Sequence, residues 1–425
     1  MAPPENNRSY LRKGYVKVGG WVLRFGTVYS LDIISSTKEK FLFCFQQAVH
    51  IISLVIMWTL AIKTIYIYND TSAALEFLHL IFGATVLWVQ TLNYIVKRDS
   101  MESMMLYIGK DFYDYPNEDI LSEEREIKKN TLDWYEKFWK FCVIITGSIC
   151  FLYILRVALM FIFQHQEYDL TKEAHPYLVY KVYYPMNLNN PNYLIFAVAH
   201  QLVTLASAVA VLNAQATVFI RFIGCMVAEF RVLAHSIERM ESRIHLLCKQ
   251  KIENGKIGNK ELYDKKFHEY SILCLKNNIK HHQQLVDFFI SLQNIHGFDL
   301  SAAFLVFIIV LCFGAFSLLV GFKSNFADNL VTIAILSTDL LNIYFFCYLS
   351  EELETERLKF CNSIQFMNWR DMSLKFKKML IIINECNKKK FLLKTNTGVT
   401  ASRETFSSIL TTAYSYVNVL REFFG

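Results

Sequence analysis

Seven apolar stretches, at about 41–66, 75–96, 138–163, 193–220, 299–322, 328–350 and 404–420, divide this 425-residue chain. Roughly 20 apolar residues cross a bilayer as a helix, so each stretch reads as a candidate span, the last being the least apolar. Lys and Arg fall on alternate connections. The segment to Lys40 carries 7, residues 97–137 carry 7, residues 221–298 carry 12 and residues 351–403 carry 11. The other connections carry 0, 2 and 1, and the C-terminal tail 1. Basic loops stay on the cytosolic side, and the bias survives when the long 221–298 connection, a poor reporter, is set aside. The pattern predicts an all-α, seven-transmembrane protein with a cytosolic N-terminus and an extracellular C-terminus.

With 53% hydrophobic and 15% aromatic residues, the whole chain, 1–425, reads as a single polytopic membrane domain with no soluble catalytic domain. The net charge of +6 is the cytosolic bias summed and is no nucleic-acid footprint. Arg8, Arg12, Lys13, Lys17 and Arg24 precede no short apolar core with a cleavage site, so the first span is expected to act as its own insertion signal. All 10 cysteines fall in spans or cytosolic connections, which argues for apolar packing and against a disulfide framework. Asn69-Asp70-Thr71 is a glycosylation sequon in the first outer loop, whose shortness disfavours its use. No Gly-rich phosphate loop, His-Glu-x-x-His, paired CxxC or GxSxG is present. His281-His282 reads as a surface or packing pair, and no enzyme activity, metal or cofactor is expected.

Helical periodicity continues well past the membrane. Ala228, Val232, Leu233, Ile237, Met240 and Ile244 extend the fourth span, a Gly/Asn/Lys-rich break follows at 251–260, and the pattern resumes from Phe267 to Ile290. Residues 351–360 and 374–383 repeat it below the sixth span. The extensions 221–298 and 351–403 are too apolar for solvated linkers and predict a cytosolic helical anchor bundle. The alternative is that they lie flat on anionic lipid, which Lys388-Lys389-Lys390 would suit.

Ionisable residues at lipid depth are costly, which singles out Asp339, His200 and Arg156. Arg156 can instead snorkel, and His200 can be a neutral hydrogen-bonded core residue. In the seventh span Ser408, Thr412, Ser415, Val419 and Glu422 recur every three or four residues and share one helical face. Such a stripe either bonds neighbouring helices or faces water in a shared pore, and periodicity leaves both open. One helix cannot enclose a pore, so the second reading requires an oligomer.

Tyr184-Pro185, Asn190-Pro191-Asn192-Tyr193 and His200-Gln201 together resemble the outer-loop and fourth-span signature of insect odorant receptors. Ser402-Arg403-Glu404-Thr405-Phe406 and Tyr414-Ser415-Tyr416 are similar to the family's seventh-span motif. Ser415-Tyr416 and Glu422-Phe423 depart from the related gustatory-receptor ending. The resemblance implies a subunit of a heterotetrameric, odorant-gated, non-selective cation channel in the plasma membrane of olfactory neurons. It further implies a tuning subunit partnered by a shared co-receptor, because the co-receptor has a longer insertion after its fourth span and ends differently. Subunit contacts would lie in the cytosolic bundle and the seventh helix would line the pore. By alignment of chain ends, Val419 would form the hydrophobic constriction, flanked by Ser415 and Phe423, with Ser408 and Thr412 along the same path. The implied pocket for a small volatile ligand, mapped by depth, draws on Phe82, Thr85, Ile149, Leu152, Tyr153, Ala199, Val203, Thr332 and Leu336. Rival readings are a gustatory-type channel of the same architecture, a G-protein-coupled receptor, which the loop charges oppose, and a transporter, for which no internal repeat is evident.

Overall fold

The computed structural model describes residues 5–26, 28, 31–34, 36–68, 71–113, 115, 118–163, 177–179, 182–253, 260–321 and 326–424. The Asn69 sequon lies outside them. Twelve α-helices follow in chain order among these residues: α1 Glu5–Val18, α2 Gly20–Phe25, α3 Thr37–Tyr68, α4 Thr71–Val96, α5 Arg98–Gly109, α6 Glu118–Phe163, α7 Pro191–Glu238, α8 Met240–Glu253, α9 Lys260–Gly321, α10 Phe326–Phe366, α11 Leu374–Cys386 and α12 Arg403–Phe424. A single 3-10 turn, Leu31–Ile33, and one isolated antiparallel bridge, Lys394–Thr400, complete the described secondary structure.

The seven expected spans fall on α3, α4, α6, α7, α9, α10 and α12. Among the described residues, Thr37–Thr64, Pro191–Glu238 and Glu261–Phe316 are long and apolar enough to cross a membrane by length and composition. Their sides carry exposed apolar residues such as Phe41, Phe45, Ile195, Phe196 and Leu305, the surface a helix presents to lipid. The apolar runs of α4, α6 and α10 include side chains outside the described set, and α12 is interrupted by its polar stripe.

Below the spans the helices do not stop. From α7, Phe222, Met226, Phe230, Leu233 and Ile237 pack with Leu285, Phe288 and Leu292 of α9 and with Leu353 and Phe360 of α10 in one continuous core. The helices in the extensions are therefore bundled together rather than laid flat. α11 closes the bundle by burying Phe376 and Ile383, and leaves Leu374, Ile381 and Ile382 exposed.

Helices α1, α2 and α5 lie outside the expected spans and extensions, and α1 and α5 form a pair. In α1, Leu11, Tyr15 and Val18 are buried; in α5, Met101, Met104, Met105 and Ile108 are. Both sets keep a three-to-four spacing, so each helix hides one stripe, and the two stripes face one another. Glycines set how closely they cross: a Cβ on Gly14 would stand 2.0 Å from the Met105 carbonyl oxygen, and one on Gly109 1.9 Å from that of Tyr10.

Buried charge organises the base of the bundle. Glu229 of α7 is 2% exposed, with Lys128 of α6 at 2.5 Å and His281 of α9 at 3.1 Å. Burial works against the Lys128 ammonium, but Glu229 more than offsets it and holds its pKa above the usual lysine value. The other ring nitrogen of His281 meets the Tyr115 hydroxyl at 2.9 Å, and the Tyr115 ring lies beneath the Arg243 guanidinium. Arg243 in turn pairs with Glu124 and donates to the Ser236 hydroxyl at 2.8 Å. Nearby, Arg231 of α7 reaches Glu356 of α10 at 2.9 Å.

Replacing Gly14 or Gly109 with Ala must push α1 off α5, and overpacking of this kind costs about 1–3 kcal/mol. The thermal midpoint of the purified chain in detergent is expected to fall for both, whereas Gly147→Ala, whose added Cβ meets nothing within 4 Å, is expected not to lower it. Lys128→Met strands the Glu229 carboxylate, which costs roughly 3–5 kcal/mol for a buried pair broken on one side. Lys128→Met combined with Glu229→Gln is expected to recover most of that loss in the same melt, and additive losses would show that the pair is not coupled.

Candidate ligand and pore elements

The start of α12 is fixed from three sides. Residues 391–402 form a tight turn in which Thr395 N–H donates to Val399 O at 2.8 Å and Ala401 N–H to Leu393 O at 2.8 Å, with Gly398 at φ +90°. This turn is tied to α10 by Leu393 N–H on the Ser350 hydroxyl, 3.0 Å, and by Phe391 N–H on the Glu354 carboxylate, 2.7 Å. Gln293 of α9 holds its other edge by accepting from Lys394 N–H at 2.8 Å. Glu351, at the inner end of the sixth span, then accepts from Arg403 N–H at 2.9 Å and pairs with the Arg403 guanidinium.

The Ser402 to Phe406 motif has a physical role here. The Ser402 hydroxyl accepts from Thr405 N–H at 3.2 Å, the bond of an N-cap, and Phe406 sets its ring edge-on against Tyr344 of α10 at 5.5 Å. The helix then buries Ile409, Ala413 and Val417 against α9 and α10. The opposite face turns away from the chain's own core. Ser408 and Ser415 are exposed, Thr412 is partly so, and Val419 is 46% exposed. Thr411, Thr412 and Ser415 donate to carbonyls of their own helix one turn back, at 3.0, 2.8 and 2.9 Å. Those hydroxyls are thereby satisfied without bonding a neighbouring helix. The side chain of Phe423 lies outside the described set.

In the outer half of the spans, a loop strand over residues 182–190 folds inward. Leu178, Val182, Tyr184 and Leu188 are buried against Met57 and Leu60 of α3 and Leu194 and Ala197 of α7. Asn190 caps α7 by accepting from Asn192 N–H at 3.0 Å, and Pro191 occupies the first helical position, where no N–H is needed. Tyr184 and His200, distant in sequence from any shared helix turn, meet at 2.9 Å between the hydroxyl and Nδ1. Among the described residues, His200 Nε2 is buried with no hydrogen-bond partner. Asp339 sits partly buried on α10, and the side chain of Arg156 lies outside the described set.

Packing of α6 on α7 and α10, and of α7 on α4 and α10, brings together the four helices to which the ligand residues were assigned. Within them the six residues whose side chains are described differ in burial. Leu336 is 8% exposed and packs on Gly314 of α9, and Phe82 is half-buried. Thr85, Leu152, Ala199 and Val203 are exposed on this single chain, with Val203 at 45%. The side chains of Ile149, Tyr153 and Thr332 lie outside the described set. On α7 the inward positions at this depth are Gln201, Thr204, Leu205 and Ser207, all buried. Depth along a span gives no helical phase, and Ala199 and Val203 stand on the exposed side of α7 while Gln201 and Thr204 are buried. Polar Gln201, Thr204 and Ser207 recur at three-residue steps along that buried side.

A family model described as the 7tm odorant receptor matches residues 70–414. Odorant receptor 85c of Drosophila melanogaster is 22% identical over 167 residues, 39% of this chain and 42% of that protein. A second Drosophila melanogaster protein, provisionally named odorant receptor 92a, is 25% identical over 153 residues, 36% of this chain and 37% of that protein. The alignments thus span less than half the length of these curated relatives. In fold, the likeness runs end to end: the olfactory receptor OR5 of Machilis hrabei, solved in complex with eugenol, superposes with a TM-score of 0.71 at 14% identity, covering 96% of this chain and 99% of that one. The same receptor in a second structure gives a TM-score of 0.70 at 13% identity. The family model and the whole-chain fold agree, and the chain belongs to the 7tm odorant receptor family.

Proposed function

We propose that this chain is the odorant-binding, tuning subunit of a ligand-gated, non-selective cation channel at the plasma membrane of an olfactory neuron, assembled with co-receptor chains as a tetramer. The observation that carries this reading is the α12 stripe, a row of small hydroxyls and Val419 turned away from the chain's own core. A face of that composition, with Thr412 and Ser415 already satisfied within their own helix, suits a water path shared among subunits better than packing within one. Exposed Phe366, Leu374 and Ile381 on the outside of the bundle supply apolar surface for the subunit contacts this requires. The loop charges set the N-terminus in the cytosol and the C-terminus outside.

A small volatile molecule, such as the eugenol bound by the Machilis hrabei receptor, would lodge in the outer half among α4, α6, α7 and α10. Phe82 and Leu336 with the inward residues of α7, Gln201, Thr204 and Ser207, offer an apolar wall with a few polar contacts, and His200 Nε2 offers one more. The path to the pore runs down α10. Leu336 and Glu351 are four turns apart on one uninterrupted helix, and Glu351 grips the first residue of α12. A ligand that favours one tilt of α10 would bias α12 by the difference in its affinity for the two states.

Expressed alone, the chain is expected to give little or no odorant current, and with the co-receptor a cation current that persists under G-protein block. Robust current from the chain alone would favour a gustatory-type assembly, and loss under G-protein block a metabotropic receptor. Cysteines placed at Ser408, Thr412, Ser415 and Val419 are expected to react with small aqueous thiol reagents mainly in the odorant-opened state, with Leu410, Ala413 and Val417 inert. Val419→Ser is expected to raise resting leak and Val419→Trp to cut conductance. Equal reagent access on both faces would return the stripe to a packing role.

A further inference from the structure

A cleft whose lining includes no residue of α12 is a second feature of the described residues. It has a volume of about 1010 Å³ and opens between α1, α2, α6 and α7. Six basic residues line it, Arg12, Lys17, Arg24, Lys128, Lys140 and Arg221, against three acids, Asp111, Glu136 and Glu229. Each acid already has cationic partners. Asp111 pairs with Lys13 at 3.0 Å and with Lys17, Glu136 with Lys140 at 2.8 Å and Arg221 at 3.6 Å, and Glu229 with Lys128 at 2.5 Å. Just outside the lining, Glu39 stands 3.6 Å from Arg24 and offsets Lys13 on Asp111, so the cleft keeps an excess of three positive charges in a concave, partly desolvated setting, where a field is focused rather than screened.

Its height on the chain is fixed by what surrounds it. Arg221 follows the last apolar residues of the fourth span, and Lys140 sits two residues into the third. On the same rim Trp21 is 63% exposed, Phe141 53% and Ile144 69%. Trp21 and Trp139 meet edge-on at 6.5 Å, and the Arg221 guanidinium lies 4.9 Å over the Trp139 ring. Interfacial tryptophans beside arginine and lysine mark the level where headgroups meet acyl chains. One side of the cleft is thus cationic and the other side continues into apolar surface along Val143 and Ile144.

We propose that this cleft binds an anionic phospholipid of the cytosolic leaflet, its phosphate headgroup among Arg12, Arg24, Lys140 and Arg221 and its acyl chains running out over Trp21, Val143 and Ile144. A soluble anion would use only the charged half, and a neutral lipid only the apolar half. The occupant would bridge α1 and α2 to the third and fourth spans, so the N-terminal helices dock on the membrane through it. The proposal rests on the membrane orientation given under the proposed function, but the test is independent of any channel activity.

The purified full-length chain in detergent is titrated, by native mass spectrometry, with a phosphoinositide carrying one ring phosphate, with its soluble inositol phosphate headgroup, and with phosphatidylcholine. The phosphoinositide is expected to bind well above the other two. Each basic residue near an anionic lipid surface contributes roughly fivefold, so Arg12→Gln with Lys140→Gln is expected to weaken binding about twenty-five-fold. Both residues are on the exposed rim, and unchanged elution and melting of the variant separate lost binding from lost fold. Arg12→Lys with Lys140→Arg is expected to retain binding, as is Lys388→Gln with Lys389→Gln, which removes the same charge elsewhere. Undiminished binding by the Arg12→Gln, Lys140→Gln variant, equal binding of phosphatidylcholine, or equal binding of the soluble headgroup would each overturn the proposal.

Discussion

Glu229 holds the lower half of this molecule together. A carboxylate 2% exposed survives only because α6 brings Lys128 and α9 brings His281 to it, so three helices distant in sequence must converge on one point. Once they do, the apolar faces of α7, α9 and α10 have only one way to meet, and Phe222, Phe230, Phe288 and Phe360 fill the space between them. Everything nearer the membrane inherits that register. The turn at 391–402 hangs from Ser350, Glu354 and Gln293, all on helices already placed by the bundle, and α12 begins where the turn ends.

Seven spans and the helices past the fourth and sixth spans were legible because runs of apolar residues and their periodicity are local signals; of the break expected at 251–260, residues 251–253 continue α8 and 254–259 lie outside the described residues. The α1 and α5 pair was equally local, in Leu11, Tyr15 and Val18 and in Met101, Met105 and Ile108, yet it stands inside basic segments whose charge dominates a first reading. What local pattern could not carry is pairing across distance. His281 reads as a surface or packing residue until Glu229 and Tyr115 come up to it. The same holds for phase. Leu336 faces inward and Val203 outward, and nothing in their depth distinguishes them.

The motifs that carried the family resemblance turn out to be structural punctuation. Ser402 and Thr405 cap a helix, Asn190 and Pro191 start another, and Tyr184 with His200 stitches an outer loop to its span. Such residues mark where helices begin, and the fold superposes along nearly its whole length on a chain of 14% identity. Ligand choice is free to vary on the remaining positions, since wall residues of a pocket need only keep volume and polarity.

The unbroken length of α7 and α9 has a mechanical consequence. At 1.5 Å per residue, the 48 residues of α7 make a rod of about 70 Å and the 62 of α9 one of about 90 Å. Both pass from the outer half of the membrane into the packed base without a joint. A rod clamped at Glu229 by buried ion pairs pivots there, so a tilt of about 3° displaces the far end of α7, about 57 Å away, by about 3 Å. The bundle is then a fulcrum rather than a moving part, and sensitivity at the outer end is set by how firmly the foot is held.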